Sequence, residues 1–397
     1  PREKTCGDGL TPRSVRQLQD MGLESALAGH HRYTGLRSVA FGREFEMAWP
    51  EHPDYPSYGY TVTRFDLDGL VCAQAEKSGA TVWQGAEAIA PLDARPAGPG
   101  GGPAGAAGAR RRSGGAIVVD KDRGTRTEIH AKYVIVADGA LSRFGRALGS
   151  RRDKSYPQGM AIRGYFRSPR HDDSFIESHL DIRDREGNVV PGYGWVFPLG
   201  DGRVNVGIGL LSTSERWKGL NTTKLMEQFV DFAPKSWCIS PSTACGVPTG
   251  GRLPMGLAIG PRVGGDFVMT GDAIGAINPF NGEGIAYGYE TGRIAAGVVA
   301  DALEQPNRHD LDSYEDRLQE EYGRYYAVAR GFVKVIGNPT LMRGMVGAGM
   351  YSKPLMSTVL RVMANLCRPD ELGPAEALYK AAAGVSARLE VRRSTRG

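Results

Sequence analysis

The residues best placed to do chemistry run from Thr270 to Ile285, through Gly271, Asp272, Asn278, Pro279, Asn281, Gly282, Glu283 and Gly284. A short apolar run, 266–270, precedes them, and small residues at helical spacing follow from about Ile285 to Leu303. A strand that delivers an Asp into a Gly/Asn/Pro loop and then a helix start suits a polyhydroxy, phosphate-bearing ligand. The carboxylate accepts from sugar-like hydroxyls, the glycines let backbone N–H groups come close, and the helix start favours negative charge. The plainer reading is an Asp that only caps a helix. The combination of Gly-Asp-Ala with Asn-Pro-Phe-Asn-Gly-Glu-Gly is far more specific than a lone Gly-Asp. A second cluster, Cys6-Gly7-Asp8-Gly9, precedes a helix start at Thr11-Pro12. A helix N-terminus can lower a thiol pKa, so Cys6 is a candidate chemical group, with a small packing residue in a tight turn as its rival.

These groups need elements to hold them. Thr11 to Leu27 has the spacing of an amphipathic helix, with Pro12 near its start. Thr61 to Ser78 reads as a strand entering a helix, with Arg64 at the join. Thr81-Val82-Trp83 predicts a strand leading to Glu87-Ala88-Ile89. Residues 95–115, rich in Gly, Ala, Pro and Arg, predict a disordered hairpin tip joining strands at Ile117–Val119 and Thr127–Ile129. Tyr133 to Ala137 is an apolar run suited to a buried parallel strand, ending in the turn Asp138-Gly139. Period-two patterns from Gly159 to Gly209 predict an antiparallel sheet. Within it Tyr193, Trp195 and Phe197 share one strand face. They are core residues or, because Gly192 and Gly194 interrupt the strand, a wall approached by a ligand.

The expected fold class is therefore α/β with an α+β insert. A Rossmann-like three-layer domain (1–150 and 257–303) is interrupted by an antiparallel-sheet substrate domain (151–256), and a helical region (304–397) follows. Ligands of such folds sit at strand C-terminal ends, where Asp138 and Asp272 fall.

The 397 residues, 41% hydrophobic and 23% charged, have the composition of a globular protein with more than one structural unit. Five scattered cysteines suit reduced thiols, and no His/Cys spacing predicts a metal site. No run is long and apolar enough for a transmembrane helix, and no signal peptide is seen. Nothing points to nucleic acid. The net charge of +5 is uneven. From Tyr322 onward 12 Lys/Arg face 4 Asp/Glu, a balance of +8 that leaves −3 for the remainder. Apolar pairs such as Leu341-Met342, Leu355-Met356 and Val359-Leu360 alternate with these basic residues. The pattern suits helices on an anionic membrane surface, and equally helices packed on the body.

Together these pieces resemble flavoproteins of the p-hydroxybenzoate hydroxylase-like fold, and within them the geranylgeranyl reductase family, most closely its actinobacterial menaquinone reductases. The resemblance rests on Lys4 to Pro12, Arg64 with Asp68, Ala137-Asp138-Gly139, the 270–285 loop, and Tyr193-x-Trp195-x-Phe197-Pro198 followed by Gly207-x-Gly209. It implies FAD as cofactor and reduction of an isoprene double bond in the prenyl side chain of menaquinone. It also implies a cytoplasmic protein peripheral to the inner face of the cell membrane, with an electron donor that the sequence does not name. Asp272 would meet the ribityl or pyrophosphate region, Gly284 and Ile285 would offer backbone N–H groups, and Ala88 would touch the adenine portion. Arg64 would bind the cofactor, or else pair with Asp66 or Asp68. Cys6, Gly7 and Gly9 would line the flavin's reactive face, with Cys6 the candidate catalytic group. Tyr193, Trp195 and Phe197 would wall a prenyl cavity, and Asp138 and Gly139 would shape the turn beside the pyrophosphate.

Other readings are a geranylgeranyl reductase acting on diphosphate or lipid-linked chains, a flavin monooxygenase or halogenase on an aromatic substrate, and an inactive fragment. The last arises because the chain starts at Pro1 and contains no Gly-x-Gly-x-x-Gly dinucleotide loop after an apolar strand. The resemblance implies an upstream unit carrying that loop, and the polypeptide from Pro1 is then expected to bind FAD poorly.

Overall fold

The computed structural model describes residues 2–93, 111–211, 221–305, 311–336, 344, 352–367 and 373. A seven-stranded sheet dominates, in the order Thr249–Pro254, Gln158–Arg167, Arg203–Leu211, Gly192–Pro198, Phe175–His179, Gly35–Ala40 and Arg43–Ala48. Its ladders are antiparallel except one, where Phe175–His179 runs parallel to Gly35–Ala40. Residues 35–48, expected with the 1–150 segment, thus join the sheet expected from 151–256. A buried Arg37 fixes the parallel seam. Its guanidinium donates to Glu177 at 3.2 Å, Asp173 at 3.1 Å and Glu46 at 2.6 Å.

Alternation gives this sheet two different faces. Val196, Val204, Val206 and Ile208 pack with Leu225, Met226 and Phe229 of the helix Thr222–Phe232. Residues of opposite parity, Tyr193, Trp195 and Phe197, face the other way.

The second body is built on Val134–Val136 and Phe267–Met269, paired in parallel. Its core joins Val136, Phe144 and Phe267 to the helix Ile285–Glu304. The expected burial of the 133–137 strand holds for Val136 but not for Ile135, which is 41% exposed because alternation turns it away from this core. A three-stranded sheet, Ala86–Pro91, Gly115–Asp120 and Arg126–His130, stands beside it. Thr81–Trp83 forms no strand, contrary to expectation; pairing begins at Ala86, after the turn at Gly85. Of the tip expected to be disordered, 94–110 lie outside the described residues, while Ser113 and Gly114 are fixed. Their N–H groups donate to the two Asp266 carboxylate oxygens at 2.6 and 2.8 Å.

The expected Thr11–Leu27 helix is two helices, Pro12–Asp20 and Glu24–Leu27, because Gly22 turns left-handed at φ +73. Thr11 caps the first, accepting from Ser14 N–H. That helix docks on Ile285–Glu304 through a buried ion pair in which Arg13 donates to Glu290 at 2.7 and 3.1 Å. Tyr322, in a π-helical turn Gln319–Gly323, donates to the same carboxylate at 2.8 Å. The described part of the 304–397 region is helical, as expected: Ser313–Leu318, Arg324–Ile336 and Lys353–Met363. Leu341-Met342 lies outside the described residues. On the helix Lys353–Met363, Met356 and Leu360 are buried against Trp49 and Ile176, while Leu355 is exposed.

Candidate functional site

A cavity of about 2030 Å³ lies between the two bodies, and four segments position its chemistry. The loop from Lys4 to Leu10 crosses the aromatic face of the large sheet. It is pinned there by side chains that the sequence reading did not single out. Asn205 donates to the Cys6 carbonyl at 2.9 Å and to Asp8 Oδ2 at 2.7 Å, and accepts from Trp195 Nε1 at 2.9 Å. Arg163 donates to the carbonyls of Cys6 and Lys4 at 3.1 and 2.9 Å. Asp8 is left-handed (φ 62), fully buried, and also accepts from Tyr165 at 2.7 Å. Burial pushes its carboxyl up to about 6, although the Tyr165 and Asn205 hydrogen bonds pull it down. A lone Asn in the apolar run Val204-Asn205-Val206, and an Asp between two glycines, were the available signals.

Above this loop sit the rings. The aromatic centroids are spaced 5.8 Å (Tyr193 to Trp195) and 6.2 Å (Trp195 to Phe197). A Cβ on Gly7 or Gly9 would lie 3.2 or 3.1 Å from the Phe197 ring, so the loop rests on that ring with no room for side chains. The same holds across the ladder. A Cβ on Gly207 would lie 2.2 Å from the Trp195 indole, which explains the coupling of the aromatic strand to Gly207-x-Gly209.

The third segment is the Asp272 turn. After Phe267–Met269 the chain makes a 3₁₀ turn, Gly271–Ile274, closed by left-handed Gly275. No protein hydrogen bond to the Asp272 carboxylate is found among the described residues. Burial raises its pKa, against the pull of Arg64 and Lys4. A Cβ on Gly284 would lie 3.2 Å from Asp272 Oδ1, and no side chain caps the helix that starts at Ile285. Its first-turn N–H groups are therefore available to a ligand.

Arg64, the fourth contribution, lines the same space while donating to Asp68 Oδ1 at 2.9 and 3.0 Å; Asp66 instead accepts from Thr63. Asp68 is also paired with Lys4.

The structure therefore brings Cys6, Gly7, Gly9, Arg64, Asp272, Gly284 and Ile285 to one cavity with Tyr193, Trp195 and Phe197. Ala88 is not in its wall: it pairs with Val118 in the three-stranded sheet. Asp138 and Gly139 do line it, and Asp138 accepts from Phe144 N–H at 3.2 Å, shaping its turn. The expectation of a lowered Cys6 pKa is reversed. Burial, then the neighbouring Asp8, pushes the thiol up, and Arg64 only partly opposes them. Cys6 is a neutral thiol here.

A free carboxylate for ribityl-type hydroxyls, an uncapped helix start and a side-chain-free approach at Gly284 fit a flavin nucleotide. The FAD binding domain family matches residues 2–163, and the fold with this cavity is that of an FAD-dependent oxidoreductase. Menaquinone reductase of Mycobacterium tuberculosis is 38% identical over 374 residues, covering 94% of this chain and 84% of that protein. Menaquinone reductase of Mycolicibacterium smegmatis is 35% identical over 393 residues, covering 99% and 90%. The chain belongs to the menaquinone reductase family and is an FAD-dependent reductase. A geranylgeranyl bacteriochlorophyll reductase-like protein of Thermoplasma acidophilum shares the fold, with a TM-score of 0.72, 20% identity, and coverage of 95% and 89%.

Proposed function

We propose that the protein saturates an isoprene double bond in the prenyl side chain of menaquinone. The observation that carries this reading is the cavity's size and apolar lining. Besides the Cys6–Gly9 loop, Tyr193, Trp195, Leu355, Val359 and Met363 line it, and shape alone can hold a repeating hydrocarbon there. The names of the 38% and 35% identical relatives support the choice of tail.

An isolated trisubstituted alkene has no carbonyl to stabilise developing charge, so positioning and water exclusion are the protein's main tasks. FAD, when reduced, supplies the hydride. Asp272 would accept from ribityl hydroxyls, the Gly284 and Ile285 N–H groups would donate to the cofactor's polar chain, and Arg64 would add positive charge beside it. Cys6, Gly7 and Gly9 form the flat surface between cofactor and tail. Tyr193, Trp195 and Phe197 keep the tail against that surface.

The tail enters at the helix Lys353–Met363, which carries the exposed Leu355 and the basic Lys353 and Arg361; these residues support a place on the inner face of the cell membrane. No helix among the described residues is long and apolar enough to cross a membrane. Flotation with anionic vesicles tests this contact, and Leu355→Asp weakens it.

The substrate test is incubation of the full chain with reduced FAD and menaquinone, followed by mass spectrometry. A gain of one H₂ per reduced bond is expected. No gain, with product instead from geranylgeranyl diphosphate or a digeranylgeranyl lipid, overturns the choice of menaquinone.

A further inference from the structure

One cavity carboxyl has no task in this account. Glu283 occupies the turn between the Asp272 loop and the helix Ile285–Glu304, between glycines that face opposite halves of the cavity. A Cβ on Gly282 would meet the Tyr193 hydroxyl and Leu253 at 3.7 and 3.8 Å, whereas one on Gly284 would meet Asp272 Oδ1 at 3.2 Å. Tyr193 itself donates to the Asn281 carbonyl at 2.6 Å, which ties the aromatic wall to this turn. Glu283 therefore lines the cavity between the Tyr193 side of the turn and Asp272.

Its two oxygens differ. Oε1 accepts from Thr11 Oγ1 and, at 3.2 Å, from Ser14 Oγ. Oε2 is buried and has no hydrogen-bond partner among the described residues. An ionised oxygen in that position is costly, whereas the protonated carboxyl is the form that tolerates such burial. The charged and titratable groups around it are Arg13, Glu290, Tyr33, Tyr193, Tyr287 and Tyr325. Burial outweighs the Thr11 bond and the Arg13 charge and holds the carboxyl up at about 7. The rival donors are weaker candidates. Burial pushes the Cys6 thiol up still higher, and Asp8, fully buried, keeps Oδ2 engaged by Tyr165 and Asn205, leaving only Oδ1 without a partner among the described residues.

We propose that Glu283 is the acid that protonates the alkene. This rests on the reading of the cavity as a prenyl-reduction site. One alkene carbon receives a hydride from reduced FAD and its neighbour receives the proton from the Glu283 carboxyl. The π bond, the carboxyl O–H bond and the bond that held the hydride on the flavin break, and two C–H bonds form. Both electrons come from the flavin, which is oxidised. Thr11 and Ser14 steady the carboxylate left behind until a solvent proton restores the acid.

The test compares full-length wild type with Glu283→Gln, both loaded with FAD and reduced anaerobically. FAD content and menaquinone binding, read by tryptophan quenching, stay the same. Single-turnover mass gain falls by on the order of 10²–10⁴-fold. The wild-type rate declines as pH rises through about 7, and that limb is missing in the variant. In the cofactor-free protein, a protonated-carboxyl infrared component that fades across the same pH range is lost in Glu283→Gln, while the Asp8 component, fading near 6, remains. Equal reduction rates, or an unchanged band, overturn the assignment. Should Glu283→Gln not fold, Ser14→Ala decides. Losing a donor to Oε1 must move the rate and infrared midpoints upward, and unmoved midpoints overturn it. Should wild type add no H₂ to menaquinone, the substrate reading fails. The comparison is then made on geranylgeranyl diphosphate, where equal rates overturn the acid.

Discussion

Gly207 lies directly across the antiparallel ladder from Trp195, and the space its missing side chain leaves is filled by the indole. The ring is then held in place by its hydrogen bond to Asn205. We expect Gly207→Ala to turn the indole out of position and destabilise the sheet by about 1–3 kcal/mol, the usual range for overpacking. A lowered urea midpoint together with a shifted tryptophan emission would register both effects. Unchanged emission would show that the ring tolerates a methyl group at that spot.

Asp272 has no hydrogen-bond partner among the described residues, so its removal is expected to affect the cofactor more than the fold. Asp272→Ala should weaken FAD binding roughly 10–100-fold, the equivalent of about 1–3 kcal/mol for a lost hydrogen bond to a charged group. Titration of the cofactor-free protein with FAD, followed by flavin fluorescence, measures this. The far-ultraviolet dichroism should remain that of wild type.

Asp8 makes stability depend on pH. Its carboxyl is raised from 3.8 to about 6 in the folded protein, so the native state binds the extra proton. That stabilisation is fully present below the unfolded value and is lost as pH rises through about 6. Asp8→Asn keeps an acceptor for Tyr165 and Asn205 and removes the titration. The difference in unfolding free energy between variant and wild type should shift in the variant's favour by about 1–3 kcal/mol from acid to neutral pH. A flat difference across that range would contradict the buried carboxyl.

The Arg13–Glu290 pair has side chains 6% and 4% exposed, and it joins the helices Pro12–Asp20 and Ile285–Glu304. Arg13→Met leaves Glu290 buried without its cation and should cost about 3–5 kcal/mol. The double variant Arg13→Met, Glu290→Leu should recover much of that loss. Thermal unfolding of the three proteins tests the ranking.

What the sequence made legible was local or periodic. The Asp272 turn announces itself by a strand, a Gly/Asn/Pro loop and a helix in immediate succession. The Tyr193, Trp195 and Phe197 row follows from alternation alone. Hidden features depend on partners far apart in the chain. The parallel seam joins Gly35–Ala40 to residues about 140 positions later and has no turn signal between them. The Thr81–Trp83 prediction failed because β-branched and aromatic residues fit a strand without supplying its ladder partner. Cys6 was misjudged electrostatically: its place before a helix start was visible, but its burial and its closeness to Asp8 were not. Glu283 stood in the most conspicuous motif, yet only the packing of Thr11 and Ser14 against it set it apart from an ordinary turn residue.

Asn205 has one further consequence. A single amide fastens the loop proposed to face the cofactor, through the Cys6 carbonyl and Asp8, to the indole proposed to face the tail. That part of the cavity is a rigid jig, in which retuning the ring for a different hydrocarbon would also displace the surface under the flavin. The helix Lys353–Met363 lends Leu355 and Val359 to the cavity as apolar side chains, and its own ties run through the backbone, where the Val362 and Met363 carbonyls accept from Tyr325 and Asn278. Selectivity for tail length or branching can therefore diversify on that helix while the geometry of hydride delivery stays fixed.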